Sequence, residues 1–128
     1  MRLGFVGTGT MGAPMAGCLL EAGHELTVYD IRTAATTALV QRGARGAGGP
    51  ADVARLSEVV FTSLPGPSEV EQAALDPATG ILTGLAAGGG YIDMTTNAPV
   101  VARRIAEACR ARRAERVLWW PRPGYRRP

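Results

Sequence analysis

Lysine is absent from this chain: all fourteen basic side chains are arginine. A guanidinium stays protonated at any working pH, so the chain offers no side-chain amine for general acid–base chemistry. Cysteine occurs twice, as Cys18 and Cys109, far apart and outside any Cys-x-x-Cys pattern. That excludes a disulfide framework, and each cysteine reads as a small buried apolar residue in a helix-like stretch, with a reduced thiol. Aromatic residues make up only 5% of the chain, which leaves Ala, Val, Leu and Gly to do most of the packing. No run approaches the ~18–20 apolar residues that a membrane span needs. The N-terminus enters a strand pattern directly, without a charged-then-apolar leader. The expectation is a soluble, cytoplasmic protein with no membrane partner.

What is present points to one globular domain. The 128 residues are 46% hydrophobic and 20% charged, enough for an ordinary core. Net charge is +3, but most of the arginines lie between Arg103 and Arg127, and no basic stripe interleaved with aromatics runs through the body. The charge reads as a solvated helix face and a basic tail, not as a nucleic-acid surface.

Residues 2–6 form a short apolar run, as a buried parallel strand does. Met11, Met15, Cys18, Leu19 and Ala22 recur at helical spacing over about 11–22, with Pro14 in the first turn and Gly23 as a C-cap signal. A strand over 25–29 ends in Asp30. A helix over 33–42, the Gly-rich stretch 43–49 with room for only a short strand, and a small helix over 50–56 follow. The β-prone run 58–63 stops at Leu64-Pro65-Gly66-Pro67, and 68–75 is helical. One or two further turns over 81–87, a strand over 90–94 and a helix over 99–113 complete the body. That last helix has Val100, Val101, Ile105, Ala108 and Cys109 on its apolar face. Val117-Leu118 would start a sixth strand. Strands alternating with helices on short links mean βαβ units and a doubly wound parallel sheet, an α/β fold.

Residues 7–12 read Gly-Thr-Gly-Thr-Met-Gly, between a strand and a helix. In a Rossmann-type dinucleotide site, Gly7 permits the tight turn, Gly9 admits the pyrophosphate to the backbone, and Gly12 lets helix and strand pack closely. Asp30 stands at the end of the second strand, where a carboxylate accepts from the adenosine ribose hydroxyls; the alternative is a strand-end aspartate capping a turn. A carboxylate there repels a 2′-phosphate and favours NAD over NADP. Arg32 complicates the choice, since it can pair with that phosphate, stack on adenine or sit in solvent.

The longer stretch Gly7-Thr-Gly-Thr-Met-Gly-Ala-Pro-Met-Ala resembles the β-hydroxyacid dehydrogenase family, which includes 3-hydroxyisobutyrate dehydrogenase and tartronate semialdehyde reductase. The likeness continues through Ala22-Gly-His24, Val28-Tyr-Asp30, Val59-Val-Phe-Thr-Ser-Leu-Pro65 and Tyr91-Ile-Asp-Met-Thr-Thr-Asn-Ala-Pro99. It implies that Thr10, Met11 and Gly12 lie along the cofactor, NAD or NADP, and that Leu64 and Pro65 line its crevice. The competing reading of Leu64-Pro65 is an ordinary strand-ending turn. It also implies that Thr95 and Thr96 lie near the nicotinamide and a substrate carboxylate, although both threonines equally suit a helix N-cap before Pro99. Asp93 would support that loop, and His24 falls at a turn position with no catalytic part.

The resemblance ends near residue 112. In the family a strand and Asp-Ala-Pro-Val-Ser-Gly-Gly follow, then a lysine that handles the proton as hydride moves, and a helical domain that completes the cleft and a homodimer. Residues 113–128 hold neither motif nor lysine, and both tryptophans and three of the nine prolines fall in the last ten positions. A Rossmann domain over 1–113 with an aberrant tail over 114–128 is the expected organisation, from a frameshift or premature stop. Trp119-Trp120 in such a tail would cover sheet surface or promote self-association. Three functions follow: an NAD(P)-dependent oxidoreductase of small β-hydroxyacids or semialdehydes, a dinucleotide-binding module without chemistry, and a part of an imine-reductase-like enzyme.

Overall fold

Leu3 and Phe5 of strand β1 (Arg2–Val6) pack into one apolar cluster and Val6 into another, so this short strand is covered on both faces. The chain continues through α1 (Gly12–Glu21), β2 (Glu25–Tyr29), a 3-10 turn (Thr33–Thr36) and α2 (Thr37–Gln41). Then come β3 (Arg45–Gly46), α3 (Pro50–Arg55), β4 (Val59–Thr62), α4 (Pro67–Leu75) and α5 (Ile81–Gly84). The last elements are β5 (Gly90–Asp93), α6 (Pro99–Ala111) and β6 (Arg116–Trp119). The computed structural model describes residues 1–114 and the backbone of 116–119.

The strands form one parallel sheet in the order β3-β2-β1-β4-β5-β6. This is the doubly wound arrangement expected from the sequence. It requires the connections to reverse direction beside β1, which pairs with both β2 and β4. Ala16 of α1 and Leu39 of α2 pack with Phe5 and Val28 on one face. Val53, Val70, Ile81, Ile105 and Cys109, from α3 to α6, pack with Val60 and Tyr91 on the other. Phe5 and Phe61, partners in the β1–β4 register, stack with ring centroids 5.9 Å apart.

Several expectations need correction. The helix expected over 33–42 opens as a 3-10 turn, because the Thr36 hydroxyl donates to the Thr33 carbonyl at 2.8 Å and tightens the backbone there. Helix α4 begins at Pro67, whose missing N–H and fixed φ suit a first turn. Helix α5 stops at Gly84, and β5 at Asp93. Cys18 is exposed while Cys109 is buried, since Cys18 lies on the solvent side of α1. Val100 and Met11 are exposed as well: both stand at the entrance of a helix, before the apolar stripe begins. Gly23 does follow the α1 C-cap with φ +90°, and its N–H bonds the Leu20 carbonyl.

Strand β6 pairs in parallel with β5, at the place where Val117-Leu118 suggested a sixth strand. The expectations attached to residues 120–128 and to the tryptophan side chains lie outside the described residues.

Candidate functional site

Parallel strands all end on the same side of a sheet, and where the connections part to opposite faces they leave a crevice. Here β1, β2, β4 and β5 end on one cleft of about 880 Å³, within the usual size of a small-molecule site. Each strand contributes the segment that follows it: Gly7, Gly9, Thr10, Met11 and Gly12 after β1, and Asp30, Ile31 and Arg32 after β2. Leu64 and Pro65 come after β4, and Thr95 and Thr96 after β5. Every residue assigned from the sequence to cofactor or substrate therefore lines this one cleft.

The loop after β1 is tied down at its start and open at its end. Gly7, at φ +94°, donates to the Tyr29 carbonyl at 2.9 Å, and a Cβ there would run into the Ser63 carbonyl oxygen. A Cβ on Gly12 would collide with the Gly7 carbonyl oxygen, so Gly12 serves close packing of α1 on the loop. Gly9 differs: a Cβ there would meet only the tip of the Arg32 guanidinium, at 3.3 Å. The fold itself does not require glycine at position 9. Among the described residues, the N–H groups of Gly9, Thr10, Met11 and Gly12 have no acceptor. Unpaired N–H groups at the positive end of a ten-residue helix form a cradle for an anion.

Asp30 is held in place by this loop. One carboxylate oxygen accepts from the Thr8 N–H at 2.9 Å and the other from the Arg32 N–H at 2.8 Å. Its side chain is only 8% exposed, whereas that of Arg32 is 70% exposed, with Nε 3.5 Å from the carboxylate. A carboxylate accepts up to about four hydrogen bonds, so both oxygens keep capacity for a ligand hydroxyl. The Thr8 hydroxyl donates to the Ala35 carbonyl and fastens the same corner from below.

At the other end, β4 and β5 are linked by side chains. The Thr95 hydroxyl oxygen accepts from the Leu64 N–H at 2.9 Å, which pins the segment after β4 to the segment after β5. The helix-cap reading of Thr95 and Thr96 is thereby corrected. The N-cap of α6 is Ala98, no side chain caps it, and the Thr95 oxygen is spent on Leu64. Behind Thr95 lies a buried carboxylate, Asp93, in a set of hydrogen bonds that spacing along the chain does not reveal. The sequence reading also missed Met15, Pro50, Glu69 and Gln72, which line the cleft because the packing of α1, α3 and α4 on the sheet brings them there, and Thr79, from the connection between α4 and α5.

A family model for the NAD binding domain of 6-phosphogluconate dehydrogenase matches residues 2–118. The chain belongs to this family of NAD-binding domains. Its match to "Probable 3-hydroxyisobutyrate dehydrogenase-like 1, mitochondrial" of Arabidopsis thaliana is 43% identical over 107 residues, covering 84% of this chain and 32% of the relative. The 3-hydroxyisobutyrate dehydrogenase of Pseudomonas aeruginosa is 40% identical over 110 residues, covering 86% of this chain and 37% of that one. Among solved structures, a reductive aminase from Aspergillus terreus in complex with NADPH4 superposes with a TM-score of 0.76 at 30% identity, over 92% of this chain and 40% of that one. This NAD-binding domain thus spans about a third of the length of the curated relatives that it matches. The cleft fits the group that the family name implies: a cradle of free N–H groups beside a glycine whose missing side chain the fold alone does not need. Among the described residues no helix is long and apolar enough to cross a membrane.

Proposed function

We propose that this chain is the dinucleotide-holding part of an oxidoreductase acting on a small β-hydroxyacid or its semialdehyde. The observation that carries the reading is the row of unpaired N–H groups from Gly9 to Gly12 at the start of α1, at the bottom of the cleft. The pyrophosphate rests on these groups and the adenosine ribose on Asp30. Ile31 and Arg32 flank the adenine side, and Leu64, Pro65, Thr95 and Thr96 take the nicotinamide half over the ends of β4 and β5. When bound, the dinucleotide supplies or accepts a hydride at its nicotinamide ring. The chain's own residues bind and orient it; Thr95 and Thr96 offer hydroxyls to the nicotinamide end and to a substrate carboxylate. NAD is the preferred form, because a 2′-phosphate against the Asp30 carboxylate is repelled. Arg32, exposed and adjacent, offsets part of that repulsion. A substrate domain and homodimer formation belong to the same proposal for the whole protein.

A second reading is favoured by one specific observation: none of the 128 residues is lysine. On that reading the chain holds a dinucleotide and performs no chemistry, or belongs with imine-reducing relatives. The purified chain is titrated with NADH and NADPH and then assayed for oxidation of 3-hydroxyisobutyrate. Tight NADH binding without turnover supports the holding role; turnover by this chain alone contradicts it. Arg32→Ala weakens NADPH more than NADH if Arg32 faces the 2′-phosphate. Equal losses would reject that placement.

A further inference from the structure

Asp93 is 2% exposed, and among the described residues no arginine bonds it. A buried carboxylate without a cation is costly unless hydrogen bonds replace its water. Here they do. One oxygen accepts from the Thr62 hydroxyl at 2.8 Å and from the Thr95 N–H at 3.0 Å, and the other from the Asn97 side-chain N–H at 2.9 Å. The set has a fixed direction. Thr62 has one hydroxyl proton and gives it to the carboxylate, so the fully buried Tyr91 hydroxyl, 2.9 Å away, donates to the Thr62 oxygen. Burial first, and then the nearby charge of Asp93, raise the Tyr91 pKa well above that of an ordinary phenol, which keeps that proton in place.

The consequence falls on Thr95. Asp93 holds its N–H, and the Leu64 N–H occupies its oxygen as a donor. The Thr95 hydroxyl proton has no acceptor among the described residues, and Thr95 lines the cleft. On the dinucleotide reading the adenosine lies at β2 and the pyrophosphate at β1, and in the sheet order β2-β1-β4-β5 the opposite half then passes over β4 and β5. That half carries a carboxamide oxygen, which accepts hydrogen bonds.

We propose that Asp93 is a positioning residue, which together with Thr62 and Tyr91 presents the Thr95 hydroxyl proton to the nicotinamide carboxamide oxygen. This rests on the dinucleotide reading of the cleft and assigns a task to three buried side chains that do not themselves touch the ligand.

The test compares NADH with ADP-ribose, which lacks the nicotinamide, on the purified full chain. Thr95→Ala weakens NADH by about tenfold, the worth of a hydrogen bond of this kind, and leaves ADP-ribose unchanged; Thr95→Ser restores NADH binding. Asp93→Asn sets an amide N–H₂ against that of Asn97 and has the same selective effect. In a Thr95→Ala background, Asp93→Asn adds nothing further. The exchange Asp93→Asn with Asn97→Asp restores one donor and one acceptor at that contact and returns NADH affinity to within about twofold; it carries the test if the single variant does not fold. Equal loss of NADH and ADP-ribose in Asp93→Asn, or a full Asp93→Asn effect in the Thr95→Ala background, overturns the proposal. A wild-type chain that binds neither ligand rejects the dinucleotide site and this inference with it. One that binds ADP-ribose normally but is insensitive at Asp93 rejects the inference alone.

Discussion

The three glycines of the loop look alike in the sequence but answer to different constraints. Gly7 has a left-handed backbone and faces the Ser63 carbonyl, and Gly12 presses on the Gly7 carbonyl, so a methyl group at either position meets rigid backbone. Gly9 meets only a flexible arginine tip. Gly12→Ala is therefore expected to lower the melting temperature whether or not ligand is present. Gly9→Ala should leave it within a few degrees and still weaken dinucleotide binding by about tenfold or more, because the Cβ enters the space where the pyrophosphate approaches. Thermal melts of both variants check the first half, and a titration of Gly9→Ala checks the second. The motif alone does not separate these roles, since each depends on which atoms the fold brings opposite the glycine.

Asp76 shows a charge acting on the short connection between two helices. Its carboxylate accepts from the Thr79 and Ala78 N–H groups at 2.9 and 2.8 Å, and these two bonds, that from Thr79 foremost, hold its pKa below the ordinary 3.8. A depressed carboxylate stabilises the fold fully above its unfolded pKa, and that contribution is lost as the pH falls through the folded value. Asp76→Asn should thus be the less stable chain near pH 7, with the difference closing as the pH drops below about 4; melts across that range measure it. Helix α6 makes a larger contribution through Ile105, which is 1% exposed in the core between the sheet and α4 to α6. Ile105→Ala should cost about 2–5 kcal/mol in urea unfolding, as a fully buried aliphatic truncation does.

Elements with a strong local signal are legible in the sequence. The run Glu25–Tyr29 is a strand because its apolar, β-branched and aromatic residues lie between Gly23 and Asp30, and Pro99 opens α6 at a proline with helical spacing behind it. The 3-10 turn at Thr33–Thr36 was not readable, because it depends on one hydroxyl choosing a carbonyl three residues back. Nor was the Tyr91–Thr62–Asp93 set, which exists only because the β4–β5 register places Thr62 beside Asp93. The same holds for Glu69 and Gln72, which reach the cleft through the packing of α4.

Across the whole molecule, the strand order decides where a ligand can sit. With β1 paired to both β2 and β4, α1 and α2 cover one face of the sheet and α3 to α6 the other, so the crevice opens where the connections part beside β1. Segments after four strands line this cleft, so a dinucleotide that fills it should stiffen and stabilise the entire sheet. At a free concentration one hundred times Kd the gain is about 2.7 kcal/mol, visible as a rise of several degrees in melting temperature.

The direct test of the central claim is a fluorescence titration of the 128-residue chain with NADH, run beside Gly9→Ala. Saturable binding at one site per chain, with affinity reduced by about tenfold or more in a Gly9→Ala variant that melts like the wild type, is the predicted result. Equal NADH affinity in the two folded proteins would contradict it.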